Sequence, residues 1–419
     1  MREKPFNRWL VVISGLVVML MLGVTYAWGV FLKPLMGEFG WAKAETSLAF
    51  SILLLVFAII MIPAGRLQDK KGPRVVATIG GLLLGGGFIL ASFTNSLSVL
   101  YTTYGIIAGA GIACAYVTPI ATGVKWFPDK RGLVTGLIVC GFGAGSAFLA
   151  PLASHIIYTM GWRMAYVILG VLFLIAVTVA AQLLRNPPEG YTPEGWKPST
   201  SQNQPNVHTT YDYDLLEMIK TPQFWMLWIM FAFTATAGLM VIGHVVAFAI
   251  ESGIDKMAAA FALTVLAIFN GAGRVASGII SDKIGRTKTM LVVFVIQAIM
   301  LSMLIKMTSV ATIYAAVAVI GFCFGADFTL FPAATADFYG TKNIGVNYGA
   351  VFTSYGVAGL LGPFLGGYVF DVTQSYYLAF QAAGVLCAIA AIVSLIVKPR
   401  GGQRSGVNRK RGDVKWLKI

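Results

Sequence analysis

Apolar residues run along this chain in blocks of twenty or more, broken by glycine, proline and charge, rather than alternating with polar ones. A helix rises about 1.5 Å per residue, so blocks of this length cross the roughly 30 Å hydrocarbon core of a bilayer. The pattern predicts helices over residues 9–33, 46–66, 75–95, 97–124, 132–158, 162–184, 223–250, 257–281, 289–308, 310–336, 343–370 and 375–397. Twelve crossings return both ends of the chain to one side. Residues 185–222 differ in kind, being rich in Pro, Ser, Asn and Thr, and predict a polar, mobile linker. The expected architecture is an all-α membrane protein of twelve transmembrane helices in two pseudo-symmetric six-helix bundles. These cover 1–184 and 223–397, joined by the 185–222 linker and followed by a basic tail at 398–419.

Composition removes the main alternatives. Of the 419 residues 57% are hydrophobic and 11% charged, against about 25% charged in ordinary soluble domains. No nucleophile motif, metal-ligand cluster or phosphate-binding loop appears, so neither an enzyme nor a cofactor or resident metal is expected. The net charge of +14 would suggest nucleic acid in a soluble chain. Here the distribution explains it: 25 of the 31 Lys and Arg fall on the side of the termini. Five (Lys33, Lys43, Arg163, Lys256 and Lys306) fall on the other, and Arg274 lies within a helix. The positive-inside rule then puts both termini and the linker in the cytoplasm, and the tail near anionic lipid. The apolar stretch from Trp9 is too long for a signal-peptide core and is expected to be a retained first helix. The four cysteines lie in apolar runs without metal or disulfide spacing, as small core residues.

The two halves repeat. Gly65-Arg66-Leu67-Gln68-Asp69-Lys70-Lys71-Gly72-Pro73-Arg74 follows the second helix, and Gly278-Ile279-Ile280-Ser281-Asp282-Lys283-Ile284-Gly285-Arg286 follows the eighth, half a chain later. Each copy puts an acid (Asp69, Asp282) and bases (Arg74, Arg286) at a short hairpin, where they can clamp helices in one state of a rocking cycle.

These doubled loops, with twelve helices and a central linker, resemble the major facilitator superfamily over the whole chain. More narrowly, Asn7-Arg8-Trp9, Trp126-Phe127-Pro128-Asp129-Lys130-Arg131-Gly132, Thr221-Pro222-Gln223-Phe224-Trp225 and Ser281-Asp282-Lys283-Ile284-Gly285-Arg286 are similar to one bacterial branch. That branch holds oxalate:formate exchangers and homologues of the monocarboxylate (lactate/pyruvate) transporters.

An arginine at the centre of a membrane helix costs about 2.5–3.5 kcal/mol even on lenient scales, so Arg274 is expected to be functional. Under the offset that carries Asp69 onto Asp282, its equivalent in the first half is Met61, so it is no part of the duplicated scaffold. A guanidinium facing a cavity binds a carboxylate bidentately, and the resemblance implies the same, since such carriers keep an arginine on helix 8. Asn270, one turn earlier on the same face, is placed to orient it or to bond substrate. Gly271, Gly273 and Gly278 allow close helix approach. Asp327 lies at the same depth as Arg274, about seventeen residues into its helix, and is expected to pair with it and to take up a proton when substrate arrives. His244 is a second candidate for proton handling. Asp337, Glu251, Asp371 and His155 lie near helix ends and read as interface or loop residues.

The resemblance further implies that helices 1, 4, 7 and 10 line the cavity, which brings in Tyr26, Trp28, Tyr116, Phe324 and Phe328. Where the oxalate exchangers carry a lysine on helix 11, this chain has Tyr355. One fixed cation suits a monoanion better than a dianion. Gly362-Pro363-Phe364-Leu365-Gly366-Gly367 predicts a bend packed at the interface of the halves. The expected function is proton-coupled movement of a small monocarboxylate by alternating access, in the bacterial inner membrane and as a monomer. An oxalate:formate type exchanger is the alternative; a transporter-like sensor is the alternative of another class, against which the short tail counts.

Overall fold

A computed structural model describes residues 6–195, 209 and 211–399. Twelve helices in it are long and apolar enough to cross a membrane: α1 (Trp9–Phe39), α2 (Lys43–Lys71), α3 (Pro73–Ala91), α4 (Leu97–Trp126), α5 (Arg131–Met160), α6 (Trp162–Ala181), α7 (Pro222–Glu251), α8 (Lys256–Ile284), α9 (Arg286–Leu304), α10 (Val310–Tyr339), α11 (Ile344–Thr373) and α12 (Tyr377–Ile396). Each predicted helix is present. The largest displacement of an end is in α1, which continues past 33 to Phe39 because Pro34 is accommodated within the helix and Gly40 (φ +68°) supplies the left-handed stop. Within α1, residues Gly23–Ala27 tighten into a 3₁₀ turn. Here Gly23 lies against the Gly145 backbone of α5, an approach that a side chain on either would prevent.

The linker is not uniformly loose. Its last part docks on the second half: the Thr209 amide donates to the Asp337 carbonyl and the Tyr213 amide to the Tyr339 carbonyl. Asp212 accepts from the Thr341 and Lys342 amides, and Asn343 and Asn347 both donate to the Tyr213 carbonyl. The expected mobile segment is thus ordered over 211–220, because its backbone and the Asp212 carboxylate satisfy open groups where α10 ends and α11 begins. Linker residues 196–208 and 210 and the basic tail from 400 lie outside the described residues.

The halves meet along two seams of crossed helices, α2 with α11 and α5 with α8. On the side of the chain termini, backbone touches backbone: Gly65 lies on Gly345, Gly349 on Met61, Gly132 on Gly278, and Gly136 on Arg274. The repeat that carries Asp69 onto Asp282 also carries the first seam onto the second. Moving towards the other side, both seams slacken, and a Cβ on Gly143 would stand 3.6 Å from the Asn270 side chain and one on Gly359 3.7 Å from Leu54. The halves are therefore closed on the side of the termini and splayed on the other.

Carboxylates lock the closed end. Asp69 accepts from the Gly345 and Val346 amides at 3.2 and 2.9 Å, and Asp282 from the Gly132 and Leu133 amides, both at 2.9 Å. In each case an anion meets the positive end of a helix from the opposite half. The basic partners depart from expectation. Asp69 pairs with Lys125 of α4 at 3.4 Å, whereas Arg74 is exposed and in no ion pair among the described residues. Its position on the outer face of the first turn of α3 turns it away from the seam. On the other side Arg286 joins Asp282 (2.7 Å) and Asp337 (2.9 Å), and Asp337 also takes Arg131 of α5 at 2.6 Å. Asp337, expected as an interface or loop residue near a helix end, is 2% exposed and ties the halves together.

Placing a branched side chain where backbones touch must wedge the seam apart. Gly136→Val, set against the Arg274 carbonyl, is expected to cost about 1–3 kcal/mol by overpacking. The check is a lowered melting temperature in detergent, while Gly86→Val, which faces open space, leaves it unchanged.

Candidate functional site

The charge at the centre of α8 is enclosed. Arg274 is 0% exposed. Its Nε donates to Asn270 Oδ1 at 3.0 Å, as the one-turn spacing requires, and one terminal nitrogen donates to the Val139 carbonyl of α5 at 2.6 Å. The second terminal nitrogen, Nη2, is buried without a partner. The guanidinium carbon stands 4.6 Å over the Phe328 ring and 5.9 Å from Phe142, so aromatic faces supply the remaining stabilisation. The Arg274 carbonyl is held by the Thr329 hydroxyl at 2.8 Å, which fixes α10 against α8.

Aromatic side chains from both halves wall this point. Tyr26, delivered by the 3₁₀ turn of α1, sits edge-on to Phe142 at 5.2 Å, and its hydroxyl is 3.5 Å from that of Tyr355. Tyr116 of α4 packs edge-on to Phe142 at 5.5 Å. Phe328 lies between Phe324 (5.2 Å) and Tyr355 (5.3 Å). Phe352 bridges Tyr116 and Tyr355, and Tyr348, one turn before it, completes the α11 face. The hydroxyls of Tyr116 and Tyr348 neighbour each other, and neither makes a hydrogen bond of good geometry. Every aromatic expected here except Trp28 is present; Trp28 turns into the first half and packs at a tilt against Tyr104, with ring centroids 4.6 Å apart.

Above the guanidinium, on the splayed side, lies a cavity of about 240 Å³ lined by Tyr26, Gly143, Ser146, Ile242, Asn270 and Phe324, among others. Asn270 therefore connects cavity to guanidinium. Below it the glycine seams are shut. The arrangement offers a small anion a buried hydrogen-bonding cation, reached through Asn270 from a mostly apolar pocket.

Asp327 does not pair with Arg274. Depth along the membrane is equal for the two, but direction is not. The α10 face packed on α8 carries Phe322, Gly325 and Thr329, and at about 100° per residue Asp327 points to the opposite side. It is 0% exposed and both carboxyl oxygens lack hydrogen bonds of good geometry. Thr234 of α7 stands beside it, with its own hydroxyl donated to the Met230 carbonyl at 2.9 Å. Nor does His244 reach the site: Nε2 lies 2.9 Å from the Pro363 carbonyl of α11, and the ring leans on Tyr376. The Gly362–Gly367 segment likewise packs on α7 within its own half, against Thr236, Met240 and His244, not between the halves. The small residues there accommodate α7 instead.

Residues missed from the sequence are Phe142, Tyr348 and Phe352 in the wall, and Lys125, Arg131 and Asp337 in the lock. Tyr348, Phe352 and Tyr355 recur at i, i+4, i+7, a helical face that was available to be read. No such periodicity marks Phe142 or the lock residues, which stand singly on different helices.

Comparison with known proteins agrees with this architecture. The Major Facilitator Superfamily family model matches residues 13–305 and 232–418. The uncharacterized MFS-type transporter YhjX of Escherichia coli is 31% identical over 84% of this chain and 86% of its own length. The oxalate:formate antiporter of Oxalobacter formigenes is 30% identical over 95% and 93%, and monocarboxylate transporter 13 of Rattus norvegicus 30% over 90% and 85%. Among solved structures, FucP in the outward conformation aligns with a TM-score of 0.71 at 14% identity, covering 92% of this chain and 98% of that one. Twelve membrane-spanning helices, a loop motif duplicated between the halves, and these matches establish that the chain belongs to the major facilitator superfamily.

Proposed function

We propose that this transporter carries a small monocarboxylate of the L-lactate or pyruvate type together with a proton, by alternating access. The observation that carries the reading is the Arg274 Nη2: a buried, unpartnered cationic donor beneath an open cavity that Asn270 lines. A carboxylate entering from the splayed side meets Arg274 as an ionic hydrogen bond, with Asn270 holding the guanidinium in plane. The aromatic wall of Tyr26, Phe324, Phe328 and Tyr355 encloses a chain of a few carbons and excludes water. Neutralising the one cation in the middle of the membrane favours closure of the halves around the substrate. The closed end then opens by release of the Asp69 and Asp282 contacts and of the Arg131–Asp337 pair.

The proton is assigned to Asp327, the acid buried at mid-depth. Because it faces α7 and not Arg274, coupling runs through the packing of the second bundle instead of through a direct ion pair. His244, held on Pro363, is a supporting candidate at the splayed end. The excess of Lys and Arg on the termini side supports cytoplasmic termini, so that the splayed side would face out of a bacterial inner membrane, with the chain working as a monomer. Exchange is the second reading, favoured by the similarity to an oxalate:formate antiporter; Tyr355, a neutral phenol beside the site, weighs against a dianion.

Labelled L-lactate uptake into proteoliposomes tests the proposal. Accumulation driven by an inward proton gradient and blocked by pyruvate supports symport, whereas uptake that requires internal carboxylate makes the protein an exchanger. Arg274→Lys, which loses the planar fork, is expected to lower uptake efficiency about 10–100-fold, the equivalent of a charged hydrogen bond worth about 1.5–3 kcal/mol. Unimpaired uptake by that variant would remove Arg274 from the site. Asp327→Asn is expected to abolish gradient-driven accumulation while preserving exchange of labelled for unlabelled substrate. Tyr355→Lys should weaken monocarboxylate uptake and admit oxalate, read as a change in competitor preference.

A further inference from the structure

A second cavity, of about 390 Å³, lies on the outer face of the second half and is unrelated to the carboxylate site. It is a groove between α8 and α9, floored by α10. Its rims carry Ile280, Ile284, Val292 and Ile296, all 40–50% exposed, and its floor is Ala318, Val319, Phe322 and Cys323. The two polar side chains in its wall are already engaged: the Thr289 hydroxyl with the Gly285 carbonyl at 2.8 Å and Ser277 with the Arg274 carbonyl at 3.4 Å. Nothing in the groove asks for water or a polar ligand. From Ile284 to Phe269 it follows fifteen residues of α8, about 22 Å by helix rise, so it runs from the termini-side boundary towards mid-membrane.

The mouth at that boundary is basic. Lys283 precedes Ile284 and Lys288 precedes Thr289; both are outward-facing, and among the described residues neither joins an ion pair. Lys288 stands one turn from Val292, on the groove's own side of α9. The first turn of α9 has no side-chain cap and no acid in it, leaving backbone amides at the same place. The nearby Asp282 is already engaged by Arg286 and by the Gly132 and Leu133 amides, so its charge is answered elsewhere.

We propose that this groove is a binding site for an anionic phospholipid of the termini-side leaflet, one acyl chain lying between α8 and α9 and the phosphate at Lys283 and Lys288. Apolar shape and basic mouth each match one end of that molecule. Water-soluble anions have no use for the groove, and zwitterionic lipids gain little from the mouth. The site sits behind Ser277 and Cys323, on the helices that carry Arg274 and Asp327, and is independent of the substrate reading.

Native mass spectrometry of the full chain, exchanged into mixed micelles of phosphatidylglycerol and phosphatidylcholine, tests it. The expected result is at least a tenfold preference for retained phosphatidylglycerol, lost in the Lys283→Gln/Lys288→Gln double variant. Ala318→Trp, which fills the floor, is expected to lower retention of phosphatidylglycerol several-fold with the lysines intact. Equal retention of the two lipids by the unmodified protein overturns the proposal without recourse to any variant. So does a preference that survives loss of both lysines, or displacement of the lipid by glycerol 3-phosphate alone, which would make the mouth a soluble-anion site.

Discussion

An unpaired guanidinium in the middle of a bilayer is the constraint around which this molecule is arranged. Arg274 cannot reach water by extending along α8, since about 12 Å separate it from the loop at Asp282. It has no carboxylate beside it either. What holds it is a carbonyl from the opposite half, an asparagine one turn away and the faces of two phenylalanines. One donor is left over, and that remainder is the chemistry on offer to a substrate. A buried pair with Asp327 would have satisfied the charge and closed the site to anions.

The same arginine belongs to the seam. Its own carbonyl lies against Gly136 and accepts from Thr329, so the residue proposed to bind substrate is also one of the points where the halves touch. Binding and closure are thereby brought to a single turn of α8. The locks at the termini side, by contrast, are carboxylates on helix ends, joined on one seam by the buried ion pairs of Arg131, Asp337 and Arg286.

Much of this was legible in the sequence. Runs of apolar residues mark the helices, since in a bilayer every backbone group must be satisfied within its own segment. The lone mid-helix cation marks the centre of the site, and the doubled loop the relation between halves. Direction around a helix axis is harder to read. Equal depth puts Arg274 and Asp327 at one level, yet Asp327 turns away because Gly325 and Thr329 already claim the side facing α8. Arg74 departs from expectation for the same reason, as an outward-facing residue in the motif, while its place is taken by Lys125 from a helix the motif does not contain. The order within residues 211–220 comes from hydrogen bonds to α10 and α11, which composition does not reveal.

The seams carry one more meaning. Gly65 on Gly345 and Gly132 on Gly278 are one contact written twice, as are Met61 on Gly349 and Arg274 on Gly136, and Asp69 and Asp282 on their respective amides. A surface in which each patch faces its own duplicate is what a two-fold homodimer possesses. The chain is thus built as such a dimer with its subunits covalently joined, its interface kept nearly symmetric at the glycines. Departures from that symmetry, arginine opposite methionine at 274 and 61, a four-charge network on one seam and a single lysine pair on the other, give the two faces of an otherwise self-matched interface separate tasks.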